Sequence, residues 1–191
     1  METPTLLTAD EFFHHPAAQD ASELVRGEIR MMTPAGGRHN VVAGRLFTRL
    51  SAFVEERGLG MTFTDNLGYS LPIPGETRDT VRAPDASFVR IEQLPDGEIP
   101  LGFLRCAPDL AVEVLPPEDR PGELAARMRD YFAAGTRCVW VVDPDARTVT
   151  VHAPHEPTRR IAPHEDLAGD PVLPGFQLSI AALFVGLRAN G

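Results

Sequence analysis

The chain has 191 residues, 43% of them hydrophobic, which suits one well-buried domain and is short for two. Its 18 basic residues are all arginine and face 27 acidic residues, so the net charge of −9 argues against a broad basic surface for nucleic-acid binding. The sequence contains neither an apolar run long enough to span a bilayer nor a signal-peptide pattern, so we expect a single cytoplasmic domain over residues 1–191 with no membrane contact.

The two cysteines, Cys106 and Cys138, are far apart in the sequence and lack the paired spacing of a zinc knuckle. We therefore expect reduced thiols in the core. The pattern excludes a disulfide framework and a zinc site built on cysteines.

The N-terminal region predicts a short helix followed by a hairpin. Thr8 and Glu11 have the spacing of a capping box, which indicates a helix start. Gly27 lies between two alternating runs, residues 22–25 and 28–32, and this pattern is typical of a tight hairpin. Glu23 and Glu28 are then candidates to lie at the rim of a sheet.

The next segments predict a long amphipathic helix and two short strands. His39 opens a stretch with apolar residues at helical spacing, and Gly58 follows it as a C-terminal cap. The apolar positions are Val42, Leu46, Leu50, Phe53 and Val54. Two β-like runs, 61–64 and 69–71, then flank a turn at residues 65–68.

The second half of the chain predicts strands alternating with one helix. Strands are expected over residues 82–89, 107–115 and 138–142, the last forming an antiparallel hairpin with 148–151. A helix is expected over 118–134, ending at Gly135, and the tail predicts a last strand and a short closing helix. This order is typical of an α/β protein with a mixed β-sheet flanked by helices.

Glu113 stands at the centre of the apolar run 107–115, which is bounded by prolines and resembles a strand covered on both faces. A buried, unpaired carboxylate costs several kcal/mol, so it needs a metal ion, a cation or a raised pKa. A Glu paired with a structural Arg, or facing solvent from a half-exposed strand, is the alternative interpretation.

Two aspartates compete as partners for Glu113. Asp109 lies four positions earlier on the same strand, roughly 13 Å away at about 3.3 Å per residue, which is too far to share one ion easily. Asp85 begins another predicted strand, and if the two strands are neighbours the separation falls to about 5 Å. Two carboxylates converging in this way favour Mg²⁺ or Mn²⁺ as the ion bound between them.

The ordered set of motifs over nearly the whole chain resembles the Uma-two family of restriction endonuclease-like proteins, a bacterial group in the PD-(D/E)XK nuclease superfamily. The matching pieces are residues 23–29, His39, 83–89, 107–115, 131–135 and 139–144. The resemblance implies a restriction-endonuclease-like core in which Asp85 and Glu113 hold the divalent ion. It implies Glu28 and His39 as additional active-site residues, DNA as the substrate and, by analogy of fold, a homodimer.

One departure from the superfamily pattern affects the chemistry. The superfamily places a Lys two residues after the second carboxylate, where this chain has Leu115. In the Uma-two family the cation is commonly a Lys on the following helix, four residues before a Tyr, and that position here is Arg127, four before Tyr131. Arginine stays protonated, so it can orient a phosphate and stabilise developing charge but cannot act as a base.

The leading hypothesis is a Mg²⁺-dependent endonuclease that hydrolyses DNA phosphodiester bonds through metal-activated water. Asp85 and Glu113 bind the metal, Glu28 assists, His39 contacts phosphate or shuttles a proton, and Arg127 clamps the scissile phosphate. Two alternatives stay open: a catalytically inactive module of the same fold that binds a nucleic-acid or protein partner, and a hydrolase of a small phosphate ester.

Three of these residues also have ordinary structural interpretations. His39 can be a capping or surface residue at a helix start. Glu28 can be a solvated charge beside a turn, and Arg127 can be a solvated or ion-paired side chain of an amphipathic helix.

Overall fold

A computed structural model describes residues 6–94, 98–116 and 121–187 of the chain. The α-helices are α1 (Ala9–Phe13), α2 (Gly37–Arg57), α3 (Pro121–Ala134) and α4 (Ile180–Leu183), and short 3-10 helices span Pro16–Gln19 and Ile91–Gln93. The strands are β1 (Ser22–Val25), β2 (Glu28–Met31), β3 (Gly60–Thr64), β4 (Tyr69–Ser70), β5 (Val81–Arg82), β6 (Ala86–Arg90), β7 (Leu110–Val114), β8 (Cys138–Asp143), β9 (Thr148–His152), β10 (Arg159–Ile161), β11 (Asp166–Ala168) and β12 (Gln177–Ser179). Within the described ranges, no helix has both the length and the apolar character that crossing a bilayer requires.

The largest sheet has six strands in the order β10-β9-β8-β7-β6-β3. β7 and β8 are parallel, whereas the other neighbouring strands are antiparallel. A parallel pair needs a crossover connection, and α3 supplies it between β7 and β8. The sheet is therefore mixed, as the order of sequence elements predicts.

The two faces of this sheet belong to different apolar clusters. α2 buries Val42, Leu46, Leu50 and Val54 at intervals of four residues, and they share one cluster with Val112 and Val114 of β7. Ala111 of the same strand lies in the other cluster with Tyr131 of α3. Because side chains alternate between the faces of a strand, Glu113 points to the face that α3 covers.

A second sheet of four strands has the order β2-β1-β5-β4 and begins with the predicted hairpin. β1 and β2 pair antiparallel, and the turn residues Arg26 and Gly27 have φ of 50° and 80°. Positive φ at both central positions is the geometry of a type I′ turn, whose twist matches that of the flanking strands. The hairpin prediction is confirmed.

Most local predictions hold, but the single strand expected over residues 82–89 is wrong, because β5 and β6 are separate strands in different sheets. Pro84 lies between them and has no N–H to donate to a ladder. The capping box of Thr8 and Glu11 is present, and Gly58 ends α2 with φ of 61°. The predicted helix over 118–134 is observed from Pro121, while residues 117–120 lie outside the described ranges. The two runs around residues 65–68 form β3 and β4, which join different sheets. β10 was not predicted, because its short exposed pattern, including Arg159 and Arg160, has no apolar alternation.

A buried ion cluster joins the four-stranded sheet to α3. The Arg82 guanidinium donates to Glu23 at 2.7 Å through Nη1 and to Asp130 at 2.9 Å through Nε and 2.5 Å through Nη2. All three side chains are buried. Buried charges need paired partners to offset their desolvation, so this cluster fixes how the small sheet and α3 pack.

We predict that Arg82→Met lowers the free energy of unfolding by roughly 3–5 kcal/mol, because it leaves two buried carboxylates without their shared cation. Urea denaturation monitored by Trp140 fluorescence measures the change. Arg105→Met is the matched control, since Arg105 pairs with Asp10 on the exposed surface and its loss should cost less than about 1 kcal/mol. Equal effects of the two substitutions would contradict the structural role of the cluster.

Candidate active site

Asp85 and Glu113 meet at one end of the β6–β7 pair. Ala86 is the register partner of Val112, and continuing this antiparallel register by one residue places Asp85 opposite Glu113. The Oδ2 atom of Asp85 accepts the backbone N–H of Val114 at 2.6 Å. The condition set by the sequence, that the two strands be neighbours, is met.

Glu113 is only 6% exposed, and both of its carboxylate oxygens accept hydrogen bonds from side chains of α3. The Tyr131 hydroxyl donates to Oε1 at 2.8 Å, and Arg127 Nη1 donates to Oε2 at 3.2 Å. Arg127 and Tyr131 are four residues apart, so they lie on the same face of the helix. The helix that follows β7 therefore covers the buried carboxylate with two donors.

The pKa of Glu113 reflects a crowded negative site. Burial is the main cause that raises this pKa to about 7, and the positive charge of Arg127 opposes it. The negative charges of Asp85 and Glu23 raise the pKa further, while the hydrogen bond from Tyr131 lowers it. The raised pKa of Glu113 is therefore mainly an effect of its burial.

His39, the third residue of α2, contacts the other carboxylate. Its Nε2 lies 3.2 Å from Asp85 Oδ2, and its Nδ1 is buried without a hydrogen-bond partner among the described residues. Burial lowers the pKa of His39, but the hydrogen bond and charge of Asp85 and the nearby backbone of Val114 outweigh it and raise the pKa above the usual value. This geometry favours an imidazolium beside Asp85.

Glu23 joins this group, although the sequence identified it only as a rim candidate. Its Oε1 lies 3.4 Å from Arg127 Nη1 and accepts the N–H of Ala83 at 3.1 Å, while Oε2 accepts from Arg82. No local pattern distinguishes Glu23 from Glu28 on the same hairpin. Only the packing of the hairpin against α3 makes the difference.

Glu28 lies on the edge strand β2, where its carboxylate accepts from Arg30 at 2.7 Å. Among the described residues, no hydrogen bond or ion pair joins Glu28 to Asp85, Glu113 or Arg127. The structure thus brings together four of the five residues that the sequence indicated, and places Glu28 outside the group.

Asp109 and Leu115, which lie on either side of Glu113 in the sequence, have structural contacts. Asp109 is buried and accepts from the backbone N–H of Arg90 at 2.9 Å and from Gln93 Nε2 at 2.5 Å, so it secures the opposite end of β7. Leu115 stands where the superfamily has its lysine and packs against the apolar cluster beneath α3. The cation near Glu113 comes from Arg127 instead.

Asp85 and Glu113 are the two carboxylates of this group that could hold a divalent cation. The described residues contain no group of three or more His, Cys, Asp or Glu side chains arranged to hold a metal. Mg²⁺ usually keeps several waters and binds through one or two carboxylates together with substrate phosphates. The mutual repulsion of Asp85 and Glu113, which raises the pKa of Glu113, would be relieved by a cation between them.

A mixed sheet that presents an aspartate and a glutamate on adjacent strands, with a basic side chain on the following helix, defines a restriction-endonuclease-like α/β protein. The comparisons with known proteins give the particular family. The profile of the Uma2 family, described as "Putative restriction endonuclease", matches residues 9–181, and the chain belongs to this family.

One solved structure is similar over almost its whole length. It is the crystal structure of "a putative nuclease belonging to DUF820" from Anabaena variabilis, with 25% sequence identity and a TM-score of 0.79. The match covers 93% of this chain and 97% of that chain. No curated protein matches the chain.

We predict that Glu113 makes stability fall as the pH rises. Its pKa in the folded state, about 7, lies above the ordinary value of 4.5, so the folded state binds the proton more tightly. Its stabilising contribution is complete below about pH 4.5 and is lost as the pH rises through about 7.

The measurement is urea unfolding of wild type and Glu113→Gln from pH 4.5 to 8 in the presence of a chelator. The stability of wild type relative to the variant should decrease across this range, because the other carboxylates titrate equally in both proteins. A difference that stays constant or grows with pH would show that the pKa of Glu113 is not raised.

Proposed function

We propose that the chain is a Mg²⁺-dependent endonuclease that hydrolyses DNA phosphodiester bonds. The observation that carries the proposal is that Asp85 and Glu113 lie opposite each other at one end of the β6–β7 pair. Each of them has a basic side chain against it. Membership of a family described as "Putative restriction endonuclease" and similarity to a structure titled "a putative nuclease" support it. A homodimer and a cytoplasmic location stay predictions of the sequence.

In this proposal Asp85 and Glu113 hold the ion, either Mg²⁺ or Mn²⁺. A bound divalent ion supplies charge to offset the phosphate and lowers the pKa of water. The two carboxylates contribute the negative potential that attracts it. Their rigid placement follows from the β6–β7 register and the Val114 hydrogen bond to Asp85.

Arg127 binds and orients the scissile phosphate. Burial lowers its pKa, but Glu113 and Glu23 raise it well above the usual value, so the side chain cannot accept a proton. Its Nη2 donates to the Met32 thioether at 3.0 Å, a weak acceptor that a phosphate oxygen can replace. The guanidinium can therefore stabilise the charge that develops on the phosphate.

His39 holds a proton at Nε2 beside Asp85. Its pKa is raised above the usual value, which favours the protonated imidazole, and in that form it can contact a phosphate oxygen or donate a proton to a leaving group. The partly buried contact with Asp85 fixes the orientation of the ring. With Arg127 excluded as a base, His39 is the site residue suited to proton transfer.

A second candidate function is an inactive module of the same fold that binds a nucleic-acid or protein partner. Leu115 at the lysine position and the engagement of Arg127 by two carboxylates favour it. Such a module would keep the electrostatic site without the chemistry.

We predict that calorimetry detects Mg²⁺ binding to wild type and that Asp85→Asn and Glu113→Gln abolish it, since each removes one of two anionic ligands. Plasmid and single-stranded DNA incubated with Mg²⁺ or Mn²⁺ should be cleaved by wild type and left intact by both variants. Asp166→Asn, at an exposed position of β11, is the matched control and should bind metal as wild type does.

The two candidate functions give different results in these assays. Metal binding together with cleavage supports the endonuclease. Wild type that binds no divalent ion and leaves both DNA substrates intact at every protein concentration would refute it and favour the inactive module.

A further inference from the structure

A continuous chain of alternating charges runs from the surface to the candidate site. It begins at Arg26, whose side chain is 39% exposed, and crosses from the four-stranded sheet to α3 and back. The successive contacts are Arg26 to Asp130 at 2.8 Å, Asp130 to Arg82 at 2.5 Å, Arg82 to Glu23 at 2.7 Å, Glu23 to Arg127 at 3.4 Å and Arg127 to Glu113 at 3.2 Å. The last two contacts are the longest of the five.

In this chain of charges, Glu23 lies next to Arg127 and is held by partners of its own. It is 2% exposed, and its two oxygens accept from Arg82 Nη1 and from the backbone N–H of Ala83. Moving this carboxylate would leave Arg82 short of a buried partner, which is costly. Glu23 is therefore suited to hold another side chain in place.

Arg127 divides one nitrogen between two carboxylates. Its Nη1 lies 3.4 Å from Glu23 and 3.2 Å from Glu113, both longer than the roughly 2.7–2.9 Å of a strong charge-assisted hydrogen bond. Its Nη2 contacts the weakly accepting Met32 sulfur. The guanidinium thus has one fixed anionic neighbour, Glu23, and a weak contact with Met32 that a phosphate could replace, while Glu113 can release it only when another cation takes its place.

We propose that Glu23 is a positioning residue that holds Arg127 at the site while Arg127 exchanges its contact with Glu113 for a phosphate oxygen. The inference rests on the proposed function, in which Arg127 binds the scissile phosphate. If Glu113 alone held the guanidinium, Arg127 and the metal ion would compete for the same carboxylate. A second, buried carboxylate removes that conflict and leaves Glu113 to the ion.

The sharpest probe is Glu23→Asp, because it keeps the charge that Arg82 requires and withdraws the carboxylate from Arg127 by one methylene. The readout is the affinity for a short duplex with phosphorothioate linkages in Mg²⁺, measured by fluorescence anisotropy, with intact DNA verified on a gel. A double-mutant cycle compares this affinity in wild type, Glu23→Asp, Arg127→Gln and the double variant.

We expect Arg127→Gln to weaken binding about tenfold, since it removes a charged hydrogen bond to phosphate. Glu23→Asp should weaken binding severalfold when Arg127 is present and should have no effect in the Arg127→Gln background. It should also weaken Mg²⁺ binding measured by calorimetry without DNA, because Arg127 then relies on Glu113. Glu56→Asp, at an exposed position of α2, is the matched control and should change neither quantity.

Urea unfolding checks that each variant folds. If Glu23→Asp does not fold, Arg82→Lys serves as a second probe. It keeps the charge but loosens the hold on Glu23, and the same dependence on Arg127 is expected. If Glu23→Asp and Arg82→Lys leave DNA affinity unchanged, or weaken it equally with and without Arg127, the positioning role is overturned while the phosphate clamp stands. If Arg127→Gln binds DNA as wild type does, the clamp fails and the positioning role with it.

Discussion

The burial of a carboxylate in the middle of the sheet is the constraint on which the rest of the site depends. Glu113 lies on β7, which has a strand on each side and is covered on both faces. Nearby side chains therefore have to pair with its charge. Tyr131 and Arg127 meet it from α3, and Asp85 adds a second negative charge from β6. Each of the two carboxylates has a basic side chain against it, Arg127 at Glu113 and His39 at Asp85, and the closeness of the carboxylates to each other suits the pair to a cation.

The same demand for charge pairing extends into the scaffold. Arg82 links Glu23 of the hairpin to Asp130 of α3, so the residues around the candidate site also hold the four-stranded sheet against α3. Packing and function are coupled here through one buried network. The small sheet is therefore part of the site's support, even though its edge strand β2 lies apart from the carboxylates.

The replacement of lysine by arginine changes what the site can do. A lysine can lose its proton when buried, whereas the guanidinium stays charged and offers a fork of donors. In this chain the fork contacts Glu23, Glu113 and Met32. Proton transfer in the proposed reaction is left to His39, and Arg127 is left to phosphate binding.

The sequence by itself determined the α/β class, the hairpin and the long helix, because local periodicity carries that information, and it named Asp85 as the partner of Glu113 only on the condition that their strands be neighbours. It could not choose between Glu23 and Glu28, which share one hairpin and one face of it, since Glu28 is the register partner of Val25. They differ because β1 lies between β2 and β5, whereas β2 is an edge strand. Only the tertiary structure decided that Glu23 is buried against Arg127 and Glu28 remains at an edge. The physical reason is that sheet membership and helix packing depend on contacts between residues far apart in the chain, which no local pattern records.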